Sequence, residues 1–267
     1  MVDEIGTMEK ALRLQQAGDY LAAETLLREL LKADPENRDG MHLLGLCCHA
    51  LSRNDEALLW IEKAIAQAPS EAIFFGNAGV VAMALGENER AAGYLETAIS
   101  INPLKSEPYN NLALVRQSQG RLQEAEFILD KAIALDPESA GAHSNRGNIR
   151  KATGDVEGAL ADYSAAIKIA PKLAAAYNGL GNAYREMEQR EKAVAAFDKA
   201  LALDPSYADA YFNRALTLAA QGEIFGADQD LAAASGLRDD PRFQIARAGL
   251  LPVIPASIGQ IDEWRQR

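Results

Sequence analysis

Apolar and small residues in this chain fall into columns that recur every 34 positions. Six prolines keep the same interval and serve as a ruler: Pro35, Pro69, Pro103, Pro137, Pro171 and Pro205. Twelve positions before each stands an alanine: Ala23, Ala57, Ala91, Ala125, Ala159 and Ala193. Eight before, the residues are large: Leu27, Ile61, Leu95, Leu129, Tyr163 and Phe197. Five before stand Leu30, Ala64, Ala98, Ala132, Ala166 and Ala200. Spacings of four and three place these columns on one stripe of a helix. A second stripe comes earlier in each copy. Thr7, Met41, Phe75, Tyr109, His143 and Tyr177 stand 28 before the proline, and Ala11, Gly45, Gly79, Ala113, Gly147 and Gly181 stand 24 before it. Between the stripes lies a column of Gly18, Ser52, Gly86, Gly120, Gly154 and Glu188. Glycine there suits the left-handed backbone that ends helices and makes tight turns.

The pattern predicts an all-α chain in which helix, turn, helix and Pro-containing loop repeat about seven times over residues 4–240. The copies span about 4–37, 38–71, 72–105, 106–139, 140–173, 174–207 and 208–241. The tiny residues let the two helices of a copy approach closely, and the large ones fill the gap to the next copy. The seventh copy keeps Tyr211, Ala215, Gly222, Ala227, Leu231 and Ala234 in register but has Asp239 where proline is due. The first places Thr7 and Lys10 at usually apolar columns; terminal copies depart from a pattern because one face meets water. Residues 241–251 predict a capping helix with Phe243, Ala246 and Leu250 on one side. Residues 252–267 predict an extended segment at Pro252 and Pro255. A capping-box pattern at Ser257 and Gln260 then opens a short, incomplete helix carrying Ile258, Ile261 and Trp264.

These columns resemble the tetratricopeptide repeat family, whose period and helix–turn–helix form they match. The resemblance implies a right-handed α-solenoid with a concave groove lined by the first helix of each repeat.

Charge narrows the partners. The net formal charge is −11, which argues against a phosphate backbone and an anionic membrane surface. A protein or peptide partner is expected, with no nucleic acid and no membrane insertion. Met1, Val2, Asp3 and Glu4 lack the basic start of a secretory signal. The adjacent cysteines, Cys47 and Cys48, point about 100° apart on a helix and suit a reducing, cytoplasmic setting. The end repeats and the Phe243 helix offer surfaces for self-association.

One polar column stands out, 26 before the proline: Asn77, Asn111, Asn145 and Asn213, interrupted by Leu43 and Gly179. Asn110, Asn148, Asn178, Asn182 and Arg185 widen it. Asparagine carries both donors and an acceptor, so the strip is a candidate for binding an extended peptide. The alternative is that these asparagines hydrogen-bond their own or a neighbouring repeat. Ile73 and Val80 among earlier residues, with polar residues later, predict a peptide that is apolar at one end and polar at the other. Arg146 and Arg214 each have an aspartate sixteen residues on, Asp162 and Asp230, which predicts ion pairs between the two helices of a repeat.

No catalytic motif is present: no G-x-G-x-x-G, P-loop, H-E-x-x-H or G-x-S-x-G. His42 and His49 stand too far apart on a helix to share an ion. Neither enzyme activity, cofactor nor metal is expected. The leading expectation is an interaction scaffold that binds an extended or helical peptide in its groove. A second follows from resemblance. The Asn column and the tail from Leu251 to Arg265 are similar to the repeat regions of O-linked N-acetylglucosamine transferase and Spindly-type families. That implies a substrate-recruiting part of a protein O-glycosyltransferase, without the catalytic region.

Overall fold

The computed structural model describes residues 4–250, all of whose regular structure is helical. Fifteen helices follow one another: α1 Glu4–Gln16, α2 Tyr20–Ala33, α3 Arg38–Ala50, α4 Asn54–Gln67, α5 Ala72–Ala84, α6 Asn88–Ile101, α7 Ser106–Ser118, α8 Leu122–Leu135, α9 Ala140–Thr153, α10 Val156–Ile169, α11 Ala174–Glu186, α12 Arg190–Leu203, α13 Ala208–Ala220, α14 Ile224–Leu237 and α15 Pro241–Leu250. The fold class is an all-α solenoid of helix–turn–helix repeats. The described residues form two compact units, divided between Ile149 and Arg150.

Within the first unit, α1 pairs with α2, α3 with α4, α5 with α6 and α7 with α8, and each second helix packs on the next pair. Within the second, α10 packs on α11, α11 pairs with α12, α13 pairs with α14, and α15 lies on α14 and α13. The columns explain this order. Every alanine of the twelve-before column is fully buried, as are Leu27, Ile61, Leu95, Tyr163 and Phe197. Each such large side chain stabilises its unit by about 1.5–3 kcal/mol relative to exposure. The small residues opposite them are required. A Cβ on Gly45 would lie 2.5 Å from Ile61, and one on Gly181 would lie 2.6 Å from Phe197. Phe243 of α15 is fully buried and meets Phe212 at 5.1 Å between ring centroids.

Turns and loops repeat as faithfully. Every member of the mid-repeat turn column has positive φ, including the non-glycines Ser52 at 62° and Glu188 at 58°. The residue before each ruler proline, from Asp34 to Asp204, takes φ between −126° and −143° and ψ between 74° and 92°. Proline excludes the helical region for its predecessor, so it stops each second helix. Arg238, which no proline follows, ends α14 with the more open ψ of 132°.

Charge pairs tie neighbouring helices. In the first unit, Arg28 and Arg53 alternate with Glu24 and Glu56 in a closed ring of four. Their guanidinium groups hold both carboxyls below the usual range, Arg53 acting first on Glu24 and Arg28 first on Glu56. Arg146 meets Asp130 at 2.7 Å. In the second unit Arg150 meets Asp162 at 3.0 Å. Arg214 grips Asp230 with two donors, at 2.8 and 2.7 Å, and holds Asp198 with a third at 2.5 Å. The pairing of Arg214 with Asp230 follows the sixteen-residue spacing, and Asp230 is buried.

Candidate interaction site

The asparagines of the polar strip stand on first helices, and Asn77, Asn110, Asn145, Asn178 and Asn213 each hydrogen-bond a neighbouring first helix. Asn145 Nδ2 on α9 donates to Asn110 Oδ1 on α7 at 2.9 Å. In the second unit Asn213 Nδ2 on α13 donates to Asn178 Oδ1 on α11 at 3.0 Å. Asn77 Nδ2 on α5 lies 2.8 Å from His42 Nε2 on α3. Each pair is 35 residues apart, one period plus one. The three are one device, a latch between successive first helices. Burial holds the His42 pKa down at about 4, so the ring is neutral and Nε2 accepts from Asn77. Its ring also packs against Phe74, 4.5 Å between centroids.

The remaining strip residues divide. Asn111 on α7 accepts from its neighbour Asn110 at 3.4 Å. Asn178 Nδ2 reaches the Tyr207 hydroxyl at 3.4 Å. Asn148 stands half-buried on α9. On α11, Asn182 Oδ1 is buried with no hydrogen-bond partner among the described residues, and burial lowers the Arg185 pKa from its ordinary value. The interruption at Gly179 has a steric cause. A Cβ there would lie 2.3 Å from the ring of the fully buried Tyr163. Tyr163 in the packing column thus requires glycine at position 179, in the polar column of the following repeat.

In the first unit the strip opens into a pocket of about 450 Å³ between α5 and α7. Its polar lining residues include Asn77, Asn102, Asn110, Asn111 and Ser139, and its apolar ones Ala72, Ile73, Val80 and Pro108. Lys105 and Glu107 stand in the lining as opposite charges. Ile73 is 61% exposed. Ile73 and Val80 of the expected apolar end and Asn110 and Asn111 of the expected polar end line this hollow together. The arrangement can bind and orient a chain segment. It holds no nucleophile paired with a base, and among the described residues no cluster of His, Cys, Asp and Glu could hold a metal ion.

The alternative reading, that these asparagines hydrogen-bond a neighbouring repeat, holds for these pairs; aligning like positions with like hid only which residues pair, because the latch joins unlike positions. Had residues been compared at 35 rather than 34, His42 with Asn77, Asn110 with Asn145 and Asn178 with Asn213 would have shown it.

Family models described as "Tetratricopeptide repeat" match residues 8–72 and 82–149, and one described as "TPR repeat" matches 147–187 and 181–222. The chain belongs to the tetratricopeptide repeat family. Solved structures agree at the level of fold. A tetratricopeptide repeat protein from Parabacteroides merdae ATCC 43184 superposes with a TM-score of 0.76 at 20% identity, over 93% of this chain and 99% of that one. A chain of the APC/C hetero-tetramer Cut9-Hcn1 gives 0.82 at 18% identity over 91% of this chain; this chain covers 48% of that one's length. YrrB, described as a tetratricopeptide repeat protein with an unusual peptide-binding site, gives 0.54 at 21% identity over 73% of this chain and 97% of its own. No curated protein sequence matches significantly. Tetratricopeptide repeats are typical of protein–protein interaction scaffolds, and arrays made only of them are generally non-catalytic. The tail from 251 to 267, including the segment similar to glycosyltransferase linkers, lies outside the described residues. No helix among the described residues is long and apolar enough to cross a membrane.

Proposed function

We propose that this chain is a non-catalytic protein–protein interaction scaffold that holds a peptide segment of its partner in the pocket between α5 and α7. The observation that carries the reading is the composition of that hollow. An exposed Ile73 and half-buried Val80 line the same hollow of about 450 Å³ as Asn77, Asn110 and Asn111. Such mixed walls suit a peptide, whose side chains are apolar in part and whose backbone needs donors and acceptors. The helices are held by buried columns and latches, so little ordering cost attaches to binding. Asn178, Asn182, Arg185 and Asn213 belong to the second unit, and neither they nor Asn148 are assigned a contact with the peptide held in this pocket. YrrB supports the reading only as an example of the fold serving a peptide. We place the protein in the cytoplasm, where Cys47 and Cys48, both buried and free, stay reduced. Burial pushes the Cys48 thiol up to about 11, so it is not a reactive group. The glycosyltransferase-recruiting alternative rests on the tail and on the Asn column. Latching gives most of that column a structural duty, so the general scaffold is preferred.

The test is selection of peptides from a displayed random library on the wild type, followed by measurement on an Ile73→Asp variant. Ile73 is exposed, so the fold survives the change. Selected peptides are expected to lose about tenfold or more in affinity, the cost of placing a charge against buried apolar contact. Failure to enrich any peptide, or equal binding by the variant, would overturn this site.

A further inference from the structure

The latch has a gap, and it lies at the pocket. In each formed latch an acceptor on one first helix receives the side-chain amide of an asparagine 35 residues on. The acceptor position facing Asn111 is occupied by Gly76, which has no side chain to offer. Asn145 donates to Asn110, and Asn110 Nδ2 donates in turn to Asn111 Oδ1. This relay of amides ends at Asn111 Nδ2, which has no partner among the described residues. Space for the missing group is present. A Cβ built on Gly76 meets nothing within 4 Å, and Gly76 lines the same pocket as Asn111.

We propose that the bound peptide supplies the missing group, as the primary carboxamide of a glutamine or asparagine side chain. This rests on the peptide-site reading above. The carboxamide oxygen accepts from Asn111 Nδ2, as Asn110 Oδ1 accepts from Asn145 in the neighbouring latch. Ile73 and Val80 cover the methylene stem of a glutamine. Charge selects the neutral group. The lining holds one Lys and one Glu among otherwise neutral residues, so it has no excess charge with which to recruit a carboxylate or an ammonium.

The test uses the full chain and three tripeptides, Ala-Gln-Ala, Ala-Leu-Ala and Ala-Glu-Ala, each N-acetylated and closed by an N-methylamide. Binding is followed by NMR at the side-chain amide of Asn111. The Gln peptide is expected to shift that signal and to bind about tenfold more tightly than the other two, the worth of one buried hydrogen bond. Gly76→Asn should complete the latch internally, abolish the Gln preference and raise the melting temperature above that of Gly76→Ala. The alanine variant gains helix propensity alone and keeps the preference. Equal binding of the Leu or Glu peptide would overturn the carboxamide while leaving a peptide site standing. Silence from all three peptides would overturn both. Should Gly76→Asn stabilise no more than Gly76→Ala, position 76 is not a latch position and the inference falls.

Discussion

His42 occupies the acceptor place that asparagine takes in the other two latches, and it is the only one of the three acceptors that titrates. Buried beside Phe74, it is kept neutral, with a pKa of about 4 against 6.5 when unperturbed; desolvation lowers it and the nearby Asp39 partly opposes that. The sign follows directly. Between pH 6.5 and 4 the unfolded chain binds a proton that the folded chain refuses, so stability is fully present above 6.5 and lost as pH falls toward 4. The loss is about 3 kcal/mol. His42→Asn keeps a latch acceptor but removes the titration. Urea unfolding at pH 7 and pH 4 should show the wild type losing about 3 kcal/mol more than this variant. An identical pH dependence would mean that the ring is charged or solvated in the folded protein. At pH 7 the variant should be the less stable of the two, because it gives up the contact with Phe74.

The repeated elements were legible in the sequence wherever one column does one job. The buried alanines, the large residues facing Gly45 and Gly181, the turn column and the proline stops each recur at a fixed period. Each therefore announces itself several times. The turn column even identifies its own exceptions. Ser52 and Glu188 adopt the left-handed conformation at φ of 62° and 58° and are exposed, so no contact compensates their backbone. An L-residue there costs roughly 1–2 kcal/mol, partly offset by the extra unfolded-state freedom that glycine brings. Glu188→Gly and Ser52→Gly should each stabilise the protein by about 0.5–1 kcal/mol, seen as a higher denaturation midpoint with an unchanged slope. A destabilised variant would show that the side chain, not the backbone, decides that turn. The latch was not legible in this way. It joins a residue to one lying a period plus one further on, since successive first helices meet with adjacent rather than equivalent positions. A ruler of identical steps hides such an offset.

At the scale of the whole molecule, the repeats within each unit lean on their neighbours, and among the described residues stability is a sum of local contacts. Charge is the property that sums differently, because it reaches beyond any one contact. The chain carries a net formal charge of −11. Many arginines are already engaged with carboxylates, as in the ring of Glu24, Arg28, Glu56 and Arg53 and in the grip of Arg214 on Asp198 and Asp230. Acidic groups outnumber basic ones by 38 to 27, so the field around the protein favours a cationic partner even though the pocket itself is balanced. Pocket and field make separable demands: a neutral side chain within, positive charge in the flanks. A pocket-binding peptide extended by two lysines should bind several-fold more tightly than one extended by two glutamates at about 0.02 M salt, mainly through a faster association rate. The difference should shrink as the screening length drops from about 20 Å toward 4 Å between that salt and about 0.5 M. Fluorescence anisotropy across the salt series measures both. A preference for the glutamate flanks, or a lysine advantage indifferent to salt, would show that direct contacts and not the field of the chain select the partner.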